Sequence, residues 1–546
     1  MKPSNSLTTL LSLMAVAGVG YSSAAATPIE DWQFNEAATT QFTGLANSVG
    51  TAGWSANVAN AATDGAGSLE FTVSVDDPET IEDESADDIF RVTTLTNPNQ
   101  STGKFELAFT YTAATIAGGD ATGAGVGFNV RDDSNTDLLN VRLQRQGGTL
   151  RLQRRNSTSG INTDLEDFGS DSLSGPLAVR VIFDLDSDTF DVFWEPDGQP
   201  ERCQTNIPMD APDLELDKLR MYAITSSDDW GATDSVTVDF LTLSTYTAPP
   251  VSPAIENWQF NDDADTSLGT VANEVGSADL GGNADNVNTD GLGNLVFTQG
   301  VDENDNVFRN GTLTNPDQTS GRFLLEWVYS SVDLTDGGST GANVGFGIRD
   351  SSGDLPFTVR LQKQNDGLRL QTRVGTTSTT LQIFEDEASN PVTTLSEPLL
   401  VQVVFDMDTD TFDVFWQLGD GVGQCASGFS MAMTGAEFDE IRTFGNTNTT
   451  AWGADDQVAV DYLILRDLAA PTALELSIVP GPGAGEVTLI WPTTTPANAV
   501  LEESTDLGVV DAWEEVLDAP SINGNNYELT LPVGGEDKNF FRLSTP

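Results

Sequence analysis

Apolar and polar residues alternate along most of the chain, in short runs of Val, Ile, Leu, Phe, Tyr and Trp broken by Gly, Asn, Asp and Pro. Alternation with period two sets one face of a strand against a core and turns the other outward; no stretch sustains a 3.6-residue helical period. The pattern predicts an all-β protein of sandwich type. Its clearest element occurs twice, as FDLDSDTFDVFW from Phe183 to Trp194 and FDMDTDTFDVFW from Phe405 to Trp416, identical at ten of twelve positions. Two alternating flanks around an Asp/Ser/Thr turn predict a β-hairpin. Those short polar side chains bend the backbone through local hydrogen bonds, while Val, Phe and Trp fill a pleated surface.

Other segments recur in the same order. IEDWQFN at Ile29 matches IENWQFN at Ile255, and TDGAGSLEF at Thr63 matches TDGLGNLVF at Thr289. LTNPNQSTGKF at Leu95 matches LTNPDQTSGRF at Leu313, and VTVDFLTL at Val236 matches VAVDYLILR at Val458. A second predicted hairpin, VRLQRQ at Val141 with LRLQRR at Leu150, matches VRLQKQ at Val359 with LRLQTR at Leu368. The offset between copies moves from 226 to 218 to 222, so length differences fall in loops. One such loop, Asp76 to Asp88, holds eight acids in thirteen residues and reads as a solvated embellishment of the first copy.

The remaining stretches complete the division. Residues 1–26 carry Lys2, an apolar run from Leu7 to Gly20 and small residues to Ala26, which reads as an export signal. Residues 27–247 and 255–469 are the two copies, joined by a Pro-rich linker over 248–254. Residues 470–546 alternate again and suit a small immunoglobulin-like sandwich. The expected protein is secreted, with no later segment long enough to span a membrane.

Composition narrows the chemistry. There are 83 acids against 24 Lys and Arg, a formal net charge of −59, which repels nucleic acid and suits saline surroundings or divalent cations. There is no His, which removes Ser-His-Asp and Cys-His catalysis and His-ligated zinc. Cys203 and Cys425 are equivalent positions of the two copies, so neither copy closes a disulfide within itself. A bridge between copies or between molecules stays open, the latter giving a disulfide-linked or surface assembly.

The W-x-F opening strand, the TDG-x-G-x-L segment, the FDxDxDTFDVFW hairpin and the closing V-D-[FY]-L strand together resemble secreted bacterial modules of the concanavalin A-like lectin/glucanase group, which includes the laminin-G-like jelly rolls. The resemblance spans Ile29 to Thr245 and Ile255 to Asp467. It implies two tandem jelly-roll β-sandwiches, in a group that holds binders, hydrolases and lyases alike. VLEESTDL and the terminal NFFRL of the last unit resemble fibronectin type III-like modules, which implies a spacer or surface-association role.

Four sets of residues are candidates for function. In the second hairpin Val141, Leu143, Leu150 and Leu152 share one face, and Arg142, Gln144, Arg151, Gln153 and Arg155 share the other. The second copy places Arg360, Gln362, Arg369, Gln371 and Arg373 alike. Planar Arg and Gln donors suit sugar hydroxyls, carboxylates or sulfates, and the resemblance implies that such a face binds glycans; the alternative is pairing with the protein's own acids. Trp230 and Trp452, each before Gly in an acidic turn, are offered either for stacking on a sugar ring or as buried structure. Asp184, Asp186 and Asp188, with Asp406, Asp408 and Asp410, place hard oxygens at alternate positions and point to Ca2+. Thr189 and Thr411 stand where a calcium loop wants Gly, so an Asp-rich turn is the alternative. Glu215/Asp217 and Glu437/Asp439 are the nearest strings to the E-x-D-x-E motif of laminarinase-like enzymes, and both lack its final Glu.

The sequence thus points to a non-catalytic protein that binds an extracellular polysaccharide through two lectin-like faces. A glycoside hydrolase or polysaccharide lyase, and a structural surface or matrix protein, are the alternatives.

Overall fold

The computed structural model describes residues 24–55, 60–73, 89–117, 122–247 and 254–468, apart from short stretches at 157–158, 198, 200, 213–214, 225–229, 282–283, 304–305, 317, 339, 351, 387 and 433–436. Beyond 468 it describes Val516 and the strands that lie between 477 and 544. The acidic run, most of the export signal and most of the linker fall outside the described residues. Met1–Leu468 forms one compact unit and Ala469–Pro546 a second.

The fold is all-β, with jelly-roll sandwiches. In each copy a six-stranded sheet packs on a share of a larger one. The first face sheet runs Ile89–Thr94, Lys218–Ile224, Thr122–Arg131, Asp137–Gln146, Thr149–Arg155, Asn162–Asp167. The second runs Val307–Thr312, Glu440–Asn446, Thr340–Arg349, Phe357–Gln364, Gly367–Val374, Thr377–Ile383. Behind them lies one continuous sheet of 17 strands. Alternate apolar residues of facing sheets fill two separate cores, one including Trp32, Phe109, Val141, Leu143, Leu150, Leu152 and Trp230, the other Trp258, Trp327, Val359, Leu368 and Trp452. Burial of these large side chains, each contributing about 1.5–3 kcal/mol, is what holds the sheets together.

The duplicated hairpin forms as its pattern requires. Phe183 pairs with Phe190 and Asp184 with Thr189, and Phe405 with Phe412 and Asp406 with Thr411. Asp188 and Asp410 take left-handed backbone angles, φ 53° and 54°, a conformation Asp tolerates through local bonding. The acids bond to neighbouring backbone amides and, at Asp184, to a lysine. Asp184 pairs with Lys104 at 3.0 Å and accepts the Asp186 amide at 2.9 Å, while Asp186 accepts the Gly103 amide at 3.1 Å. Asp406 accepts the Asp408 and Thr409 amides, and Asp408 accepts that of Gly321. Among the described residues no group of three or more Asp, Glu or Cys side chains is placed to hold a metal. These six residues stand in an Asp-rich turn that their local hydrogen bonds hold in shape.

The motif's remaining acid caps a bulge. Register shifts between Phe190 and Val192, and between Phe412 and Val414, where a residue of the next strand loses its ladder partner. Asp191 accepts the Asn206 amide and Asp413 that of Gly428, each at 2.7 Å. Burial pushes both carboxyls up to about 6, despite these amide bonds.

The two copies meet through their edge strands. Arg202–Pro208 pairs antiparallel with Gly423–Ser430, Cys203 opposite Cys425 and Gln204 opposite Gln424. Cys203 and Cys425 are joined in a disulfide across 222 residues. Each cysteine meets its own counterpart, the arrangement of a local twofold axis. Ile182, Phe193, Leu324, Val404 and Phe415 pack around the bridge. The bridge between copies is the one that forms, so these cysteines do not link separate molecules.

In the C-terminal unit the described strands form a four-stranded and a three-stranded sheet around Leu489, Leu501, Leu529 and Leu531.

Candidate functional site: the outer faces of the six-stranded sheets

Strand register turns the basic hairpins into rows that cross each face sheet. In the first, Phe90, Tyr222, Gly127, Arg142, Gln153 and Asp164 lie side by side on six successive strands. In the second the same row reads Phe308, Phe444, Gly345, Arg360, Gln371 and Thr380. A neighbouring row holds Gly125, Gln144, Arg151 and Asp167, against Asn343, Gln362, Arg369 and Ile383. On the other side Arg220 stands beside Asn129, and Arg442 leads through Gly347 and Thr358 to Arg373 and Ser378. All ten Arg and Gln residues singled out in the sequence lie on these faces, because alternation sends their Val and Leu neighbours inward.

The centre of each row is Gly for want of room. A Cβ at Gly127 would lie 2.6 Å from Cβ of Arg142 and 2.8 Å from the ring of Tyr222; one at Gly345 would lie 2.6 Å from Cβ of Arg360. In the first sheet the arginine and the tyrosine therefore meet across a bare strand. Phe90 and Tyr222 stack with centroids 6.4 Å apart, and the Arg220 guanidinium sits 4.4 Å from the Phe90 centroid. Arg442 sits 5.1 Å from the Phe308 centroid. Phe90 is 41 % and Phe308 51 % exposed, so each face ends in an uncovered aromatic beside an arginine.

The two faces differ in closure. In the first, Arg142, Gln144 and Gln153 are buried. The Tyr222 hydroxyl donates to Asn140 at 2.8 Å, and burial raises its pKa. Arg151 bonds Asp164 at 2.5 Å and Asp167 at 3.1 Å, and Gln153 donates to Asp164 and Gln146, both at 2.6 Å. Internal pairing thus holds in the first copy. In the second, Arg360 bonds the Gln371 carbonyl and the Ser378 hydroxyl, each at 3.4 Å, and Arg373 bonds the Gly375 carbonyl at 2.9 Å. Arg360, Gln362 and Arg369 are half-buried and Arg373 is exposed. Among the described residues, no acid lies within ion-pair distance of Arg360, Arg369, Arg373 or Arg442. Burial and the nearby Arg373 both lower the Arg360 pKa, and burial, Arg349 and Arg373 lower that of Arg442.

Solved jelly-roll proteins resemble this chain. An endo-1,3-beta-glucanase from Streptomyces sioyaensis is 16 % identical, with 41 % of this chain and 100 % of that chain covered and a TM-score of 0.28. The winged bean acidic lectin complexed with methyl-alpha-D-galactose is 11 % identical over 40 % of this chain and 97 % of its own, TM-score 0.27. The alginate lyase from Klebsiella pneumoniae is 11 % identical over 33 % and 84 %, TM-score 0.25. No family model matches the sequence, and no curated protein does. The fold assignment rests on the strand order itself.

The other candidates fall elsewhere. Trp230 and Trp452 are each 1 % exposed, inside the two cores, so neither indole is offered to a sugar. Asp217 and Asp439 are buried; Asp217 accepts the Asn99 amide at 2.8 Å, and Glu215 and Glu437 are exposed. Both pairs precede the face strands Lys218–Ile224 and Glu440–Asn446 and lie outside the rows. The aromatic and arginine of those strands, Arg220 with Tyr222 and Arg442 with Phe444, escaped the sequence reading. Their signal was available: KLRMYAI and EIRTFGN place Arg and an aromatic two apart, at one offset, in both copies.

Proposed function

We propose that this is a secreted, non-catalytic protein that binds an extracellular polysaccharide along the faces of its two six-stranded sheets. The observation that carries the reading is the aromatic–Gly–Arg–Gln row at the same register in both sheets. An uncovered aromatic edge suits the apolar face of a pyranose, and fixed guanidinium and amide planes suit its hydroxyls and substituents. Two faces in one covalently closed unit raise avidity if a long chain engages both. Catalysis is disfavoured because the second face carries no carboxylate in its rows, and the first commits Asp164 and Asp167 to Arg151. The C-terminal unit is assigned a spacer role.

Affinity electrophoresis of the whole protein in gels cast with neutral and acidic polysaccharides tests the proposal, with incubation mixtures assayed for reducing ends and unsaturated products. Retardation without product is expected. Product formation would make the protein a hydrolase or lyase, and absence of retardation in every gel would remove the binding reading.

A further inference from the structure

We infer that the two faces have different ligands: the second takes an acidic sugar unit, a carboxylate or sulfate, at Arg369, and the first has that position filled by its own carboxylates. The inference rests on the binding reading above and deepens it.

The argument is a comparison of equivalent atoms. Arg151 and Arg369 occupy the same register, each beside a glutamine, Gln144 or Gln362, and each facing an edge strand. On the first edge strand stand Asp164 and Asp167, which take one guanidinium nitrogen each, Nη1 at 2.5 Å and Nη2 at 3.1 Å. That is how an anion with two oxygens engages an arginine fork. On the second edge strand the same positions are Thr380 and Ile383. Among the described residues nothing anionic pairs with Arg369, whose Nε is buried without a hydrogen-bond partner. Ile383, opposite it, is 37 % exposed and leaves the approach unblocked by charge. In a chain with 83 acids and 24 bases, four arginines on one face, Arg360, Arg369, Arg373 and Arg442, with no carboxylate paired to them among the described residues, are a gap the protein does not fill itself.

The net charge of −59 opposes any polyanion at long range. That repulsion is screened over about 8 Å at 0.15 M salt, whereas a contact ion pair on a half-buried arginine is screened much less. Recognition of an acidic polymer is therefore expected at physiological salt and weakened at about 0.01 M, where the screening length is about 30 Å.

The test uses the whole chain, with polygalacturonate as the carboxylate probe, dextran sulfate as the sulfate probe and dextran as the neutral one, at 0.15 M salt. Arg369→Ala is expected to weaken binding of at least one acidic probe by tenfold or more and to leave dextran binding within twofold. Arg151→Ala is expected to leave acidic binding within twofold. Arg369→Lys, which keeps the charge and loses the fork, should fall between, and matching circular dichroism spectra exclude misfolding. The carboxylate and sulfate arms identify the anion. Unchanged acidic binding by Arg369→Ala, with dextran still bound, would overturn the inference while leaving polysaccharide binding intact. No binding of any probe by the wild type would overturn both.

Discussion

The two faces are built on one scaffold and diverge at one edge and at one inner aromatic. Both carry Gly, Arg and Gln at the same register, and both end in an exposed Phe under an arginine. They part at Asp164 and Asp167 against Thr380 and Ile383, and at Tyr222 against Phe444. The interior tolerates little, because a face strand's inward residues fill a packed core. The outward residues of an edge strand have one strand neighbour and solvent, so charge can be exchanged there without disturbing the sheet. Such an exchange between the two copies yields two faces with one architecture and different electrostatics.

The largest expected effect tests whether the cores are as alike as the register implies. Trp230→Ala and Trp452→Ala should each cost about 3–5 kcal/mol in urea unfolding, since both remove a fully buried indole. Loss of ligand binding at unchanged stability would instead return these residues to the site. Next is the seam. Cys203→Ser/Cys425→Ser removes a cross-link that closes 222 residues, and should lower stability by about 2–5 kcal/mol. Differential scanning calorimetry should then resolve the copies as separate transitions; a single unshifted transition would show that the strand pairing alone couples them.

A smaller effect comes from the bulge caps. Folded Asp191 and Asp413 have pKa values raised to about 6 from 3.8, so the folded state holds protons that the unfolded state releases. Stability from these groups is greatest at low pH and declines as pH rises from about 4 to about 6. Asp413→Asn keeps the acceptor for the Gly428 amide and removes the charge. It should flatten that decline by about 1–3 kcal/mol between pH 4 and 7, and Asp191→Asn should do the same. An unaltered pH profile would mean that these carboxyls ionise normally. The smallest effect is on the edge itself: Asp164→Thr should leave the urea midpoint unmoved, because partly exposed ion pairs contribute little.

Much of this was legible in the sequence, for physical reasons that can be named. Period-two alternation placed Arg142, Gln144, Arg151 and Gln153 on one face because side-chain direction in a strand follows from position alone. The hairpin turn was legible because Asp and Thr act on their own neighbours. Which face was closed was not, since closure of Arg142 depends on Tyr222 from a strand remote in sequence, and that of Gln153 on the register that brings Asp164 of the next strand beside it. Trp230 and Trp452 show the same limit, a Trp-Gly turn reading alike whether its ring points in or out. The seam was half legible: equal spacing of Cys203 and Cys425 allowed a bridge between copies, but only the pairing of two edge strands selects it over one between molecules. The roles of Asp191 and Asp413 were not legible, because a bulge is a property of two strands.

The most direct test of the account transplants the second edge onto the first. Asp164→Thr/Asp167→Ile frees Arg151 in the setting that Arg369 already has. Calorimetric titration with short acidic oligosaccharides should find one site per chain in the wild type and two in the variant, the second lost again on adding Arg151→Ala. A variant that still binds at one site, or a wild type that already binds at two, would contradict the claim that the edge strands decide what each face accepts.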